Sequence, residues 1–176
     1  MNNRKHATTS TASMPPPVAA VRPDEQLQHE IERHGRRELL GLIQRSARMA
    51  LAKMVDEPKH LNTVGRRYLD QVSELLQRAA SAKSWSNDEL IAFAHEVAWA
   101  KLLTDADVIY RRASGSGTSD VTCVTACAQE YAQCLNENGC DANAWVCLCC
   151  VPCSLQYMGC VASCSLPGAG RGIMML

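Results

Sequence analysis

Ten cysteines carry most of the chemistry open to this chain, and all of them lie between positions 123 and 164. Thiols at that density can cross-link as disulfides, hold a soft metal ion such as Zn²⁺ or Cu⁺, or exchange disulfides with another molecule. Spacing discriminates between these. Cys123, Cys127, Cys134, Cys140, Cys147, Cys153, Cys160 and Cys164 follow one another at intervals of 4, 7, 6, 7, 6, 7 and 4 residues, a palindrome. The mirror pairs 123 with 164, 127 with 160, 134 with 153 and 140 with 147 each sum to 287. Residues of constant sum lie opposite one another in an antiparallel hairpin. The palindrome therefore predicts a hairpin joined by four disulfides, an arrangement metal binding does not require. Cys149 and Cys150 fall outside the pattern, as thiols or as replacements for a mirror partner.

Helical geometry agrees with the pairing. Steps of four and seven residues rotate a helix by about 400° and 700°, which keeps three side chains within about 40° of one face. Cys123, Cys127 and Cys134 satisfy this, as do Cys153, Cys160 and Cys164. Small neighbours at Ala126, Ala128, Ala132, Gly159, Ala162 and Ser163 let two helices approach to disulfide distance. Gly139, after Asn138, reads as a helix stop, and Pro152 suits the first turn of the next helix. A C-x3-C-x3-Y-x2-C repeat, at 123–134 and again at 149–160, puts Tyr131 and Tyr157 near each other across the hairpin, packed over the bridges.

A second thiol motif overlaps the first. Cys147, Cys149, Cys150 and Cys153 form a C-x-C-C-x-x-C run with the density of a thiolate site for zinc or copper. Cys150-Val-Pro-Cys153 also has the C-x-P-C form of disulfide exchangers, without the βαβ setting those use. Disulfides are the expected state and the metal set is the alternative. The five histidines, His6, His29, His34, His60 and His95, all precede the cysteines, and no two stand four apart. No phosphate loop or nucleophile elbow occurs, so the chain is expected not to be an enzyme and to need no cofactor.

Charge and cysteine content divide the chain in the same place. Residues 1–112 hold 17 of 18 Lys and Arg, 14 of 18 Asp and Glu, and no cysteine; residues 113–176 carry the reverse imbalance. The whole is neutral, which gives no support to a nucleic-acid partner. The expected fold is all-α: an N-terminal three-helix bundle over 24–112, a linker at 113–119, and a disulfide-linked antiparallel hairpin over 120–166. A disordered Thr/Ser/Pro-rich arm (1–23) and a short tail (167–176) flank these units. Within the bundle, one helix is predicted from Asp24 to about Glu57, with a break possible near Gly35, and a second from about Asn62 to Ala82. A third follows the Ser86-x-x-Glu89 capping box, with Leu90, Ile91, Ala94, Val97, Ala98 and Leu102 facing inward. Arg111-Arg112 reads as a basic helix end, or as a processing site.

The layout, a cysteine-free charged part followed by a ten-cysteine part, resembles that of cysteine-rich bacteriocins of the halocin type. There the ten-cysteine product is the C-terminal part of a longer chain. The resemblance implies a precursor whose N-terminal part is a leader or carrier and whose C-terminal hairpin is the active, antimicrobial unit, acting on a protein or membrane target after export and processing. Cys123/Cys127 and Cys160/Cys164 also look like the twin C-x3-C helical hairpins of the mitochondrial intermembrane space and of plant hairpin peptides, which implies a binding module. Multiple disulfides imply an oxidising compartment. Residues 1–21 contain no apolar run of signal-peptide length, so export by a non-classical route is expected, with a cytoplasmic zinc- or copper-thiolate protein as the alternative.

Overall fold

A computed structural model describes residues 22–54, 63–114, 117–140 and 146–164. Residues 1–21 of the expected arm, the expected helix ends at Glu57 and Asn62, the centre of the linker (115–116), and the hairpin end and tail from 165 onward lie outside the described residues, while Pro23, expected in the arm, begins the first helix. Among the described residues the fold is all-α, with helices α1 (Pro23–His34), α2 (Arg36–Lys53), α3 (Thr63–Ser81), α4 (Asn87–Ala113), α5 (Thr118–Glu137) and α6 (Val151–Cys164), and no strand.

Local sequence accounts for the helix ends. Pro23 stands at the start of α1, with Asp24 and Glu25 in its first turn, where the helix dipole favours negative charge. The long apolar pattern expected from Asp24 onward is cut at Gly35. That residue takes φ +84° while its N–H donates to the Ile31 carbonyl at 2.9 Å and its carbonyl accepts from Leu39 N–H at 3.1 Å. Ser86 and Glu89 close a reciprocal capping box at the start of α4, with Ser86 N–H to Glu89 Oε2 at 2.6 Å and Glu89 N–H to Ser86 Oγ at 3.2 Å. At the end of α5, Cys140 N–H reaches back to the Leu135 carbonyl at 2.9 Å over Gly139, which has φ +61°.

The packing departs from the expected two-unit plan. The three charged helical segments do not form a bundle of their own with the hairpin beside them. Instead α6 lies at the centre, packed against α2, α3, α4 and α5. The main core draws Leu27 and Ile31 from α1, Leu39, Ile43, Ala47 and Ala50 from α2, and Val72 and Leu76 from α3. Leu90, Phe93 and Val97 of α4 join them, together with Leu148, Val151, Leu155, Met158 and Ala162 of the cysteine-rich part. The boundary at 113–119 thus separates two compositions but not two cores. The physical reason is the make-up of α6: it has no charged residue, and eleven of its fourteen residues are buried. A helix apolar all round must be covered all round, and α5 alone covers one side.

The α2–α6 contact is close. A Cβ built on Gly159 would stand 2.7 Å from the Ala50 Cβ, so these two helices meet almost backbone to backbone. Gln156 Nε2 donates to the buried Ser46 hydroxyl across the same interface at 3.2 Å. On α4 the inward face is Leu90, Phe93, Ala94, Val97, Thr104 and Val108. Leu102, expected inside, is 43% exposed, and Trp99, Leu103, Ile109 and Tyr110 also face outward. Over 27 residues the buried stripe drifts round the helix as its neighbours change from α1 to α5.

Candidate functional site

Helices α5 and α6 run antiparallel and are joined by a ladder of disulfides. Cys123–Cys164, Cys127–Cys160 and Cys134–Cys153 have Cα separations of 5.7, 5.7 and 5.8 Å, within the range a disulfide spans without backbone movement. The three outer mirror pairs of the palindrome are therefore bridges. Each set of three cysteines falls on one helix face, as the spacing requires, and Gly159 and Ala162 turn the small side of α6 to its neighbours.

The innermost mirror pair is different. Cys147 bonds Cys149, not Cys140, with Cα atoms 5.4 Å apart. Cys140 and Cys150 carry thiols. The expected 140–147 bridge fails because both residues sit in the turn between the helices, where helical spacing no longer governs. The expected metal set fails in one member for a related reason: Cys153 belongs to α6 and is bonded to Cys134. In its place Cys140 joins Cys147, Cys149 and Cys150, and the four Sγ atoms all lie within 4.8 Å of one another. Cys149 and Cys150 Sγ are 3.7 Å apart.

This four-sulphur cluster brings together two thiols and one disulfide. It is held from two sides. Leu148, fully buried, anchors the turn in the core, and its N–H donates to Glu30 Oε2 of α1 at 2.6 Å. Cys147 is buried and the other three are half-buried. Burial pushes the Cys140 thiol above its ordinary value; a hydrogen bond with Cys150 pulls the other way, and the Glu30 carboxylate adds to the rise. The thiol is thus a slow nucleophile at neutral pH. Chemically the cluster can exchange or form disulfides. With Cys147–Cys149 reduced, the four sulphurs are close to the spacing of about 3.8 Å that four thiolates adopt around Zn²⁺. Beside the cluster an open groove of about 600 Å³ runs along α2, with Cys149 at one edge, Leu42 and Met49 on its wall, and the basic His34, Arg45 and Arg48 around it.

Behind the ladder lies a polar group of which the sequence singled out only the two tyrosines. Tyr131 and Tyr157 pack against each other across the hairpin with ring centroids 5.0 Å apart. The Lys101 ammonium stands 4.9 Å from the Tyr131 ring centroid and 2.5 Å from Asp105 Oδ2. Tyr68 of α3 shares a 3.1 Å hydrogen bond with Thr104 Oγ1. Burial holds the Tyr68 hydroxyl neutral, its pKa pushed up to about 12, and burial followed by the Asp105 charge shifts Tyr157 in the same direction. Nothing in spacing marks Lys101 or Thr104; only the neighbourhood of α3, α4 and the hairpin makes them a group. These residues join α3, α4 and the hairpin.

Arg111 and Arg112 close α4. Arg111 is held by Asp107 at 2.5 Å and by Asp120 of α5 at 3.2 Å, and its side chain is 12% exposed. Asp107 Oδ2 faces it in ion-pair rather than hydrogen-bonding alignment. Arg112 donates to Thr125 Oγ1 at 3.3 Å. The dibasic pair is therefore a structural tie between α4 and α5, and a protease would have to unwind the end of α4 to read it. Ser114 and Gly117, between the helices, are exposed.

No protein-family model, curated protein or solved structure matches the chain. Among the described residues no helix is long and apolar enough to cross a membrane.

Proposed function

We propose that this chain is the latent precursor of an exported, cysteine-rich helical hairpin, antimicrobial in the manner of a bacteriocin, with α5 and α6 as the active unit and the N-terminal helices as its carrier. One observation carries the reading. Val151, Leu155, Met158 and Ala162 recur along α6 at steps of four, three and four residues, a single helical stripe, and all four are buried in the core that α1 to α4 build. The opposite face of α6 is bolted to α5 by the ladder. Separation of the two parts would therefore leave a hairpin that stays folded through its bridges and presents an uncovered apolar stripe.

Such a stripe suits attachment to a membrane surface or to an apolar patch on another protein. Covering it until release keeps the precursor soluble. Below about 70 residues a core alone rarely supplies much stability, and cross-links supply what the released piece lacks. The exposed junction around Ser114 and Gly117 is the accessible place for cleavage. Bridges also suit work outside the cell, where thiols oxidise.

The test is recovery of the protein from its native host. The expected result is a fragment in the culture medium that begins between Arg112 and Cys123, oxidised, and that inhibits a competing cell. An intact cytosolic chain with stoichiometric zinc or copper and no disulfides overturns the reading and favours a metal-thiolate protein.

A further inference from the structure

We infer that Cys140 and Cys150 close a fifth disulfide, so that the four-sulphur cluster at the tip of the hairpin is a two-bridge clasp. The inference deepens the precursor reading by naming a covalent modification of the same hairpin. It begins from what the ladder leaves over. Eight of the ten cysteines are already in bridges, and the remaining two are brought together by the fold although ten positions separate them. Cys140 and Cys150 share a hydrogen bond, and their sulphurs belong to the group in which all lie within 4.8 Å.

Four cysteines can pair in three ways. Pairing 140 with 147 would leave 149 with 150, adjacent residues whose bridge strains the peptide between them. Pairing 140 with 149 would put 147 with 150 and break the bond now made. Keeping Cys147–Cys149 leaves 140 with 150, whose sulphurs lie within 4.8 Å of each other.

Electrostatics favour a bridge over a metal at this place. A tetrathiolate holding one Zn²⁺ keeps a net charge of about −2. The Glu30 carboxylate already faces Cys140, α5 and α6 together contain no Lys or Arg, and the basic His34, Arg45 and Arg48 of α1 and α2 border only the groove at the Cys149 edge. A disulfide is neutral and needs no compensation. An environment that keeps the three ladder bridges oxidised also favours oxidation of two thiols held within 4.8 Å.

The step balances with a small-molecule disulfide as oxidant. One thiolate attacks the oxidant, forming a mixed disulfide and expelling one small thiolate. The second cysteine then attacks the mixed disulfide, the Cys140–Cys150 bond forms, and the second small thiolate leaves. Two protons pass from the cysteines to the two leaving thiolates, and the oxidant takes two electrons. The thiolate is the attacking form, so closure is faster as pH rises. Once closed it ties the residue after the Gly139 turn of α5 to the residue before α6.

The test uses the full chain treated with oxidised glutathione, then denatured without reductant and exposed to iodoacetamide. The expected intact mass is lower than that of the reduced chain by all ten cysteine hydrogens, with no alkylation. Digestion should then yield a peptide pair linking 140 to 150. The Cys140→Ser variant should keep its helical circular dichroism and its ladder, and leave Cys150 as one alkylated or glutathionylated site; Cys150→Ser should do the same to Cys140. A chain that loses only eight hydrogens and is alkylated at both positions, a 140–147 or 140–149 link, or one equivalent of zinc retained in native mass spectrometry overturns the proposal. The precursor reading is judged separately, by the N-terminus of the exported fragment, and survives any of these results except the zinc.

Discussion

Replacing Gly159 by alanine gives opposite signs according to whether α6 stands on α2 or only on α5. In an α-helix that touches nothing at this position, Gly→Ala stabilises by about 0.8–1.0 kcal/mol through backbone entropy. Here the new Cβ would meet the Ala50 Cβ at 2.7 Å, the Ala50 Cα at 3.2 Å and the Ala50 carbonyl oxygen at 3.3 Å. Carbon atoms prefer about 3.5–4.0 Å, and neither partner has a torsion that could move its Cβ aside. The two helices must separate by roughly 1 Å, which loosens the contacts of Leu155, Met158 and Ala162 along the same face. Overpacking of this kind costs about 1–3 kcal/mol. Set against the propensity gain, the net expectation is a loss of about 1 kcal/mol. Urea denaturation of the oxidised full chain, followed by helical circular dichroism, reads it directly. Adding Ala50→Gly removes the obstructing methyl, so the double variant should be about 1–3 kcal/mol more stable than the sum of the two single effects predicts. A Gly159→Ala chain stabilised by about 1 kcal/mol, with no coupling to position 50, would refute the central placement of α6 and restore a hairpin that folds apart from the charged helices.

Three further outcomes are expected. Tyr68→Phe should cost about 1 kcal/mol through the lost bond to Thr104. Because the folded-state pKa of Tyr68 is raised from 10.0 to about 12, its neutral form stabilises the fold fully below about pH 10, and that contribution is lost as pH rises through about 12; urea midpoints at about pH 9 and about pH 11 should fall more steeply with pH in the parent than in the variant. Arg111→Ala removes the tie to Asp107 and Asp120 and should destabilise the chain by about 1–3 kcal/mol, measured by thermal unfolding. Removing Cys123 and Cys164 together should cost less than the about 4 kcal/mol of an isolated bridge over 41 residues, since Cys127–Cys160 closes most of the same loop, whereas full reduction should cost more; urea curves of the oxidised variant and of the reduced parent separate the two.

Whatever depends on local geometry is legible in the order of residues alone. Four- and seven-residue steps put Cys123, Cys127 and Cys134 on one face of a helix, and Cys153, Cys160 and Cys164 on one face of another, so constant-sum pairing led to the three ladder bridges. Ser86 and Glu89 declared a helix start, and Gly35 and Gly139 declared interruptions, because caps and positive φ are decided within one turn. Beyond the helix ends that geometry no longer applies. Cys140 and Cys147 lie in the turn, where Leu148 is anchored in the core and bonded to Glu30, and there Cys147 meets Cys149 while Cys140 meets Cys150. The division into two units was read from charge and cysteine content, which report composition and not contact. The absence of any charge on α6 signals a helix covered on every side, but periodicity cannot name the neighbours that cover it. Tertiary packing made that choice, at the one place where Gly159 and Ala50 let two backbones come close enough to bury α6 among the charged helices.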